Sequence, residues 1–306
     1  MYEGCSNVDE LLNVHELLDV HELLNVDELL DVHVVVRHVS ERTTGLCGQI
    51  IAKQVPRKNI SFVSAEPFVE TLRLAYDAGI AANKKWTLCF DADVIPTTDS
   101  VSKMVQFAEE HEDRIFLASG LIIDRTFGNI RQAGNHIYRT KHLPNAYQFL
   151  GEAEKRIRPE STVNRLMFTR YGLSRWIDET IVGLHDFGQY HHDVARTIFV
   201  QMFKFKAQRA ELYARFKQGA ARGQHFDIVA LNAGIYALEK FKSMSLDAGK
   251  LREHAVEVVR RSGLEEKTPM AQKEAMHLVR ALEKYGTSEN PFKGFNMNAP
   301  KGYQAK

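Results

Sequence analysis

The first 36 residues contain no lysine or arginine, although they hold nine aspartates and glutamates. Cysteine is nearly as scarce: Cys5, Cys47 and Cys89 are the only three, and no two stand in a CxxC spacing. That excludes a disulfide framework and paired-thiolate zinc sites. With no charged-then-apolar leader, it predicts a reduced, intracellular protein, cytoplasmic and at most peripheral to a membrane. No apolar run approaches the roughly 20 residues needed to span a bilayer. HExxH and HxH are also missing, which argues against hydrolytic zinc chemistry.

What is present is an ordinary globular composition: 306 residues, 44% hydrophobic and 26% charged. This is enough for one large domain or two modest ones. Beyond residue 36 there are 40 basic and 30 acidic residues, so a net charge of +1 for the chain conceals a body with an excess of ten positive charges. Such a body attracts anionic ligands, among them nucleotide diphosphates, phosphorylated lipids and nucleic acid.

From Asn7 the chain reads NVDELL, NVHELL, DVHELL, NVDELL and DVHVVV. The varying residues, Asn, Asp and His, have codons that differ only in the first base, which points to tandem duplication of the coding unit rather than to a selected module. A six-residue period turns a helix by about 240° net per copy, so Val and Leu spread over every side instead of forming a stripe. A coiled-coil seam needs a period of seven. Poorly fixed, Leu-rich helical turns are the expectation for 1–31, packed on the body or on a second chain.

At Val32 the pattern becomes "VHVVVRHV", a continuous β-branched run that predicts a buried strand. "SERTTGLCGQII" then predicts a helix with Ser40 as its N-cap and Leu46, Ile50 and Ile51 as its apolar face. "NISFVSA" predicts a strand, "EPFVETLRLAYDAG" a helix, and "WTLCFDADVIP" a strand ending in acid. This alternation predicts an α/β domain with a mostly parallel, Rossmann-like sheet, whose ligands bind beyond the C-terminal strand ends. Past residue 190 the pattern is overwhelmingly helical. The expected organisation is a repeat extension over 1–31, a catalytic domain over 32–200 and a helical region over 201–306 that ends in an aperiodic tail from Thr287.

"FDADVIP" places Asp91 and Asp93 two residues apart at a strand exit. Side chains alternate along a strand, so both carboxylates are expected on one face, within reach of a single Mn²⁺ or Mg²⁺. "ETIVGLHDFGQYHHD" concentrates a second set of polar groups in a loop before a helix, where Gly183 and Gly188 permit backbone excursions. His191 and His192 point about 100° apart on that helix, so the two do not share an ion; one is expected buried and the other solvated.

An apolar strand leading into DAD, as the third strand of an α/β domain, resembles the nucleotide-binding half of GT-A-fold glycosyltransferases. "RHVSERT" and "EPFVETLR" look like the corresponding stretches of bacterial family 2 glycosyltransferases. The resemblance spans roughly 32–200 and is most specific at the acidic pair. It implies a nucleotide diphosphate-sugar donor, a hydroxyl acceptor on a glycan, lipid or protein, and a divalent ion on Asp91, Asp93 and His185. By the same resemblance Asp186 is the general base, while Arg37, Glu41, Arg42, Glu66, Arg73 and Asp91 face the donor nucleotide. Asp124, Arg125, His136, Tyr138, Arg139 and Trp176 shape the acceptor side. For the Arg and Glu positions a plain surface ion pair is an equal alternative.

Three readings of other classes compete. A nucleotidyltransferase shares paired acids on an α/β sheet, but no Gly-rich phosphate loop follows the first strand. A nucleic-acid platform is not expected, because the C-terminal aromatics fall at core spacing rather than between basic residues. An interaction protein, self-associating through the repeat or the C-terminal helices, rests on the repeat alone.

Overall fold

The computed structural model describes residues 30–111, 115–244 and 247–286. The repeat copies up to residue 29 and the tail from Thr287 lie outside the described residues. Eight strands form one sheet: β1 (Val32–Arg37), β2 (Ile60–Val63), β3 (Trp86–Asp91), β4 (Val94–Pro96), β5 (Ile115–Asp124), β6 (Asn129–Arg131), β7 (Asn135–Arg139) and β8 (Ser174–His185). Their order is β2-β1-β3-β7-β5-β8-β4, with β6 hairpinned onto β5.

The sheet is mixed rather than mostly parallel. β7 lies antiparallel between β3 and β5, and β4 pairs antiparallel with β8. The connections explain the departure: β5, β6 and β7 follow one another through short turns, and a parallel partner would need a crossover of a dozen or more residues. β1, β2, β3, β5 and β8 nonetheless share one direction, so Arg37, Asp91, Asp124 and His185 all emerge at one edge.

The valine run of β1 is continuous because the strand is covered on both faces. Val32, Val34 and Val36 pack toward α1 (Thr44–Ala52) and α3 (Ser100–Glu110). Val35 packs on the other side, toward α2 (Phe68–Ala82) and the short helices α4 (Leu143–Tyr147), α5 (Leu150–Ala153) and α6 (Pro159–Tyr171). Each fully buried valine of this kind contributes about 1.5–3 kcal/mol relative to an exposed one. Ser40 is not the cap of α1: it sits at φ +69, and the helix starts four residues later.

A second apolar cluster joins α7 (His191–Lys204), α8 (Arg209–Ala221), α9 (His225–Lys240) and α10 (Ala248–Arg261). The expected domain division at residue 200 falls inside α7. This helical layer is clamped to the β5–β6 turn, where Arg215 donates to the carbonyls of Arg125 and Thr126 at 2.7 and 2.6 Å and Arg125 pairs with Asp227 at 2.9 Å. The last helix, α11 (Gln272–Gly286), packs Ala275 and Leu282 against Leu46, Ile50, Ile95 and Leu184. No helix among the described residues is long and apolar enough to cross a membrane.

Candidate metal centre and cleft

Sheet register builds the site. Asp124 of β5 is paired with His185 of β8, and His185 is paired with Val94 of β4, so Asp93 reaches the histidine from the turn before β4. A backbone hydrogen bond from Asp186 N–H to the Asp93 carbonyl, 3.1 Å, ties the two loops together. Gly183 permits this approach: a Cβ there would stand 2.7 Å from the Ile95 carbonyl oxygen. Asp186 itself adopts φ +64, the left-handed region that non-glycine residues enter at some cost and that clusters at functional sites.

One ligand atom each from Asp93, His185 and Asp186 lies within 4.8 Å of the others. His185 Nε2 is 3.6 Å from Asp93 Oδ1, and that buried oxygen has no hydrogen-bond partner. On the other side of the ring, Nδ1 lies 3.1 Å from Asp124 Oδ2. Nδ1 is also 3.3 Å from Asp186 Oδ2 and makes a good hydrogen bond to neither carboxylate; a proton held on Nδ1 by their charge would leave the Nε2 lone pair to an ion, as in many metal-bound histidines. Asp124 is fixed in turn by Arg131 Nε at 2.6 Å and by the Phe127 amide at 2.9 Å. Thr126 donates to Asp186 Oδ2 at 2.7 Å.

The electrostatics suit a missing positive charge. Burial foremost, with Asp186 and Asp91 nearby, pushes Asp93 up to about 7 despite the opposing pull of His185. Burial disfavours a charged imidazole at position 185, but Asp186, Asp93 and Asp124 outweigh it and hold that histidine well above its ordinary value. Burial likewise opposes charge on Asp124, yet Arg131 and His185 keep it below the usual carboxylate range. One imidazole nitrogen and two carboxylates, one of them with an orphaned oxygen, are a fitting donor set for a divalent ion such as Mn²⁺.

Asp91 does not join this trio. The strand ends at Asp91 and the chain turns through Ala92 and Asp93, so the period-two argument stops two residues short. Asp91 Oδ1 instead accepts from Arg37 Nε at 2.8 Å. The Arg37 side chain, on a residue only 2% exposed, also donates to Glu160 Oε1 at 2.5 Å. Glu160 is shared with Tyr138 Oη, 2.9 Å, and His136 Nδ1, 3.2 Å.

Both carboxylates of the DAD triplet open onto a cleft of about 960 Å³. Arg37, Glu41, Glu66, His136 and His185 line it as well. Glu41, pushed up to about 8 mainly by burial, accepts from the Val39 amide at 2.7 Å and faces Arg196 at 3.7 Å. Arg196 also pairs with Asp193, 3.1 Å.

Other expected site residues are engaged elsewhere. Arg42 makes a forked pair with Glu274 at 2.6 and 2.7 Å and donates to the Gly188 carbonyl at 2.9 Å, so it fastens α11 and does not face the cleft. Arg73 pairs with Glu70 at 3.0 Å and stacks over Tyr147. Trp176 stacks on His111, and Arg139 lies over Trp86 at the opposite end of the sheet. Asp186 is 3% exposed and stays beneath the cleft wall, so its carboxylate is out of reach of a hydroxyl in the cleft. His191 is buried, and Glu266 takes the amides of His191 and His192 at 2.6 and 3.0 Å, closing the start of α7. Glu160, Arg196 and the support role of Asp124 were not read from the sequence. A proline and an acid opening a helix at "RPES" were the one local signal for Glu160.

No protein-family model and no curated protein sequence matches the chain. Four chains among solved structures do match. They include a glycosyltransferase involved in the glycosylation of the major capsid of PBCV-1, with 14% identity and a TM-score of 0.38 over 51% of this chain and 93% of that one. A likeness that loose assigns neither a family nor an activity.

Proposed function

We propose that the chain is a divalent-metal-dependent glycosyltransferase that moves a sugar from a nucleotide diphosphate donor to a hydroxyl acceptor. The observation that carries this reading is the Asp93–His185–Asp186 cluster at the edge of a large cleft, with an oxygen of Asp93 left unpartnered. When bound, the ion supplies charge neutralisation for a departing diphosphate, with Mn²⁺ suited to the mixed imidazole and carboxylate donors. Asp93, His185 and Asp186 hold it, and Asp124 orients the histidine.

Asp186 is a ligand in this reading, not the base. Asp91, 28% exposed at its side chain, stands on the cleft wall. Arg37 occupies its Oδ1 and leaves Oδ2 to accept a proton from the acceptor hydroxyl. His38, Glu41 and Glu66 form the wall beyond β1 and β2, where the nucleoside would lie.

The test is a panel of nucleotide sugars scored for Mn²⁺-dependent hydrolysis and for thermal stabilisation. At least one donor is expected to bind and turn over. Asp93→Asn should lose both metal and turnover, whereas Asp91→Asn should lose turnover while still binding the ion. If no nucleotide sugar binds and Asp93→Asn changes nothing, the proposal fails.

A further inference from the structure

The cleft has a second charged end that the transfer chemistry leaves unassigned. One face of α7 runs along its floor, presenting Arg196, Val200, Gln201 and Lys204. Arg196 stands at the metal end, beside Glu41. Lys204, eight residues on, lies about 12 Å further along at 1.5 Å rise per residue. There Arg158 reaches across to donate to the Lys204 carbonyl at 2.8 Å, and its guanidinium lies 4.5 Å over the Phe205 ring. Arg131 also approaches this ring, at 5.6 Å.

These cations are not matched by acids. Arg131 is paired with Asp124, but among the described residues no carboxylate pairs with Arg158 or Lys204. Glu160, which acts on Lys204 electrostatically, is already engaged by Arg37, Tyr138 and His136. Burial, with Arg131 and Arg158 beside it, pushes the Lys204 ammonium down to about 8. Gln201 lines the same wall at 8% exposure, and its buried amide oxygen has no partner, so the assigned amide orientation is not fixed by a hydrogen bond. A guanidinium from the start of α6 and an ammonium from the end of α7, lining one cleft, match a tetrahedral oxyanion better than a sugar hydroxyl.

We propose that Lys204 and Arg158, with the Gln201 amide beside them, form a phosphate subsite where α7 ends against Phe205, and that the acceptor is a phosphate-bearing molecule. The second half rests on the transferase reading; the first does not. A soluble monoester and a lipid headgroup offer the same phosphate oxygens to this site.

The test uses the full chain in EDTA, so that the metal cluster contributes nothing, and follows inorganic phosphate binding by calorimetry and thermal shift. Wild type and Asp93→Asn are expected to bind phosphate alike. Lys204→Met and Arg158→Gln should each bind it roughly ten- to hundredfold more weakly, the loss expected for a hydrogen bond to a charged group. Two variants on separate elements guard against one misfolding, and circular dichroism checks each. No phosphate binding to the wild type would overturn the subsite, as would binding undiminished in both cation variants or lost only in Asp93→Asn. Glycerol 3-phosphate and vesicles of phosphatidylcholine with phosphatidic acid, run in parallel, tell the soluble source from the lipid one. If phosphate binds as expected while every nucleotide sugar fails, the subsite stands and the transferase reading falls.

Discussion

Asp91 and Asp93 are two residues apart, yet they belong to different electrostatic worlds. Asp91 ends a strand and is held by Arg37, a cation that never leaves. Asp93 sits in the following turn with an orphaned oxygen among other acids and a histidine. Both acidic groups need a positive partner; the chain supplies one internally and leaves the other to be filled. The counter-charge of an acid at this edge is thus either built into the fold, as Arg37 is for Asp91, or left for a bound ion to supply.

The largest effect should come from attacking the internally neutralised half. Arg37→Met leaves Asp91 and Glu160 without their cation, and unfolding free energy should fall by about 3–5 kcal/mol in urea titrations. A small loss would mean that the pair is not the fixed element claimed here. The same half sets an acid limb. Burial would raise the Glu160 carboxyl, but Arg37 and His136 hold it well below its ordinary value of 4.5. Its ionised form therefore stabilises the fold above that pH, and the stabilisation is lost as pH falls further toward the lowered folded value. Glu160→Gln should lower stability at pH 7 and flatten the decline below pH 4.5.

Asp93→Asn attacks the half left to be filled. Mn²⁺ affinity, measured by calorimetry, should drop at least about a hundredfold. Without metal the variant should melt no lower than wild type, because burial already pushes this carboxyl up to about 7 and an amide removes a charge set among acids. A large loss of metal-free stability would erase the contrast with Arg37. Thr126→Val removes the hydroxyl that steadies Asp186 and should weaken Mn²⁺ binding by about tenfold with little change in melting temperature. The smallest effect on binding belongs to Arg42→Ala. Its guanidinium is 4% exposed, forks onto Glu274 and donates to the Thr268 and Gly188 carbonyls, so unfolding free energy should fall by about 1.5–3 kcal/mol while donor binding does not change.

The sequence disclosed the parts that depend on local pattern. The strands of β1, β2 and β3 were legible because β-branched runs and short spacing leave few alternatives, and His185 was legible from the glycines and polar groups around it, although it ends β8 instead of lying in a loop. What was lost depended on distant partners. Arg42 reads as a phosphate ligand until Glu274, 232 residues away, is brought beside it. The mixed sheet was hidden in short turns after β5, and the shared face of Asp91 and Asp93 assumed a strand that in fact ends at Asp91, two residues too early. Asp124 was visible as an acid near a strand end; only the register of β5 with β8 makes it the partner of His185.

That register also has a consequence in time. The two loops that supply the ligands are more than 90 residues apart in the chain, and they meet only when β8, the last strand among the described residues, has slotted between β5 and β4. During synthesis the N-terminal portion emerges and begins to order first. A nascent chain stopped before Ser174 would carry the whole DAD motif and capture no ion; one that has released α7 would capture it. On the proposed reading, metal uptake would act as a timestamp on biosynthesis, marking the moment the last of these strands joins the sheet.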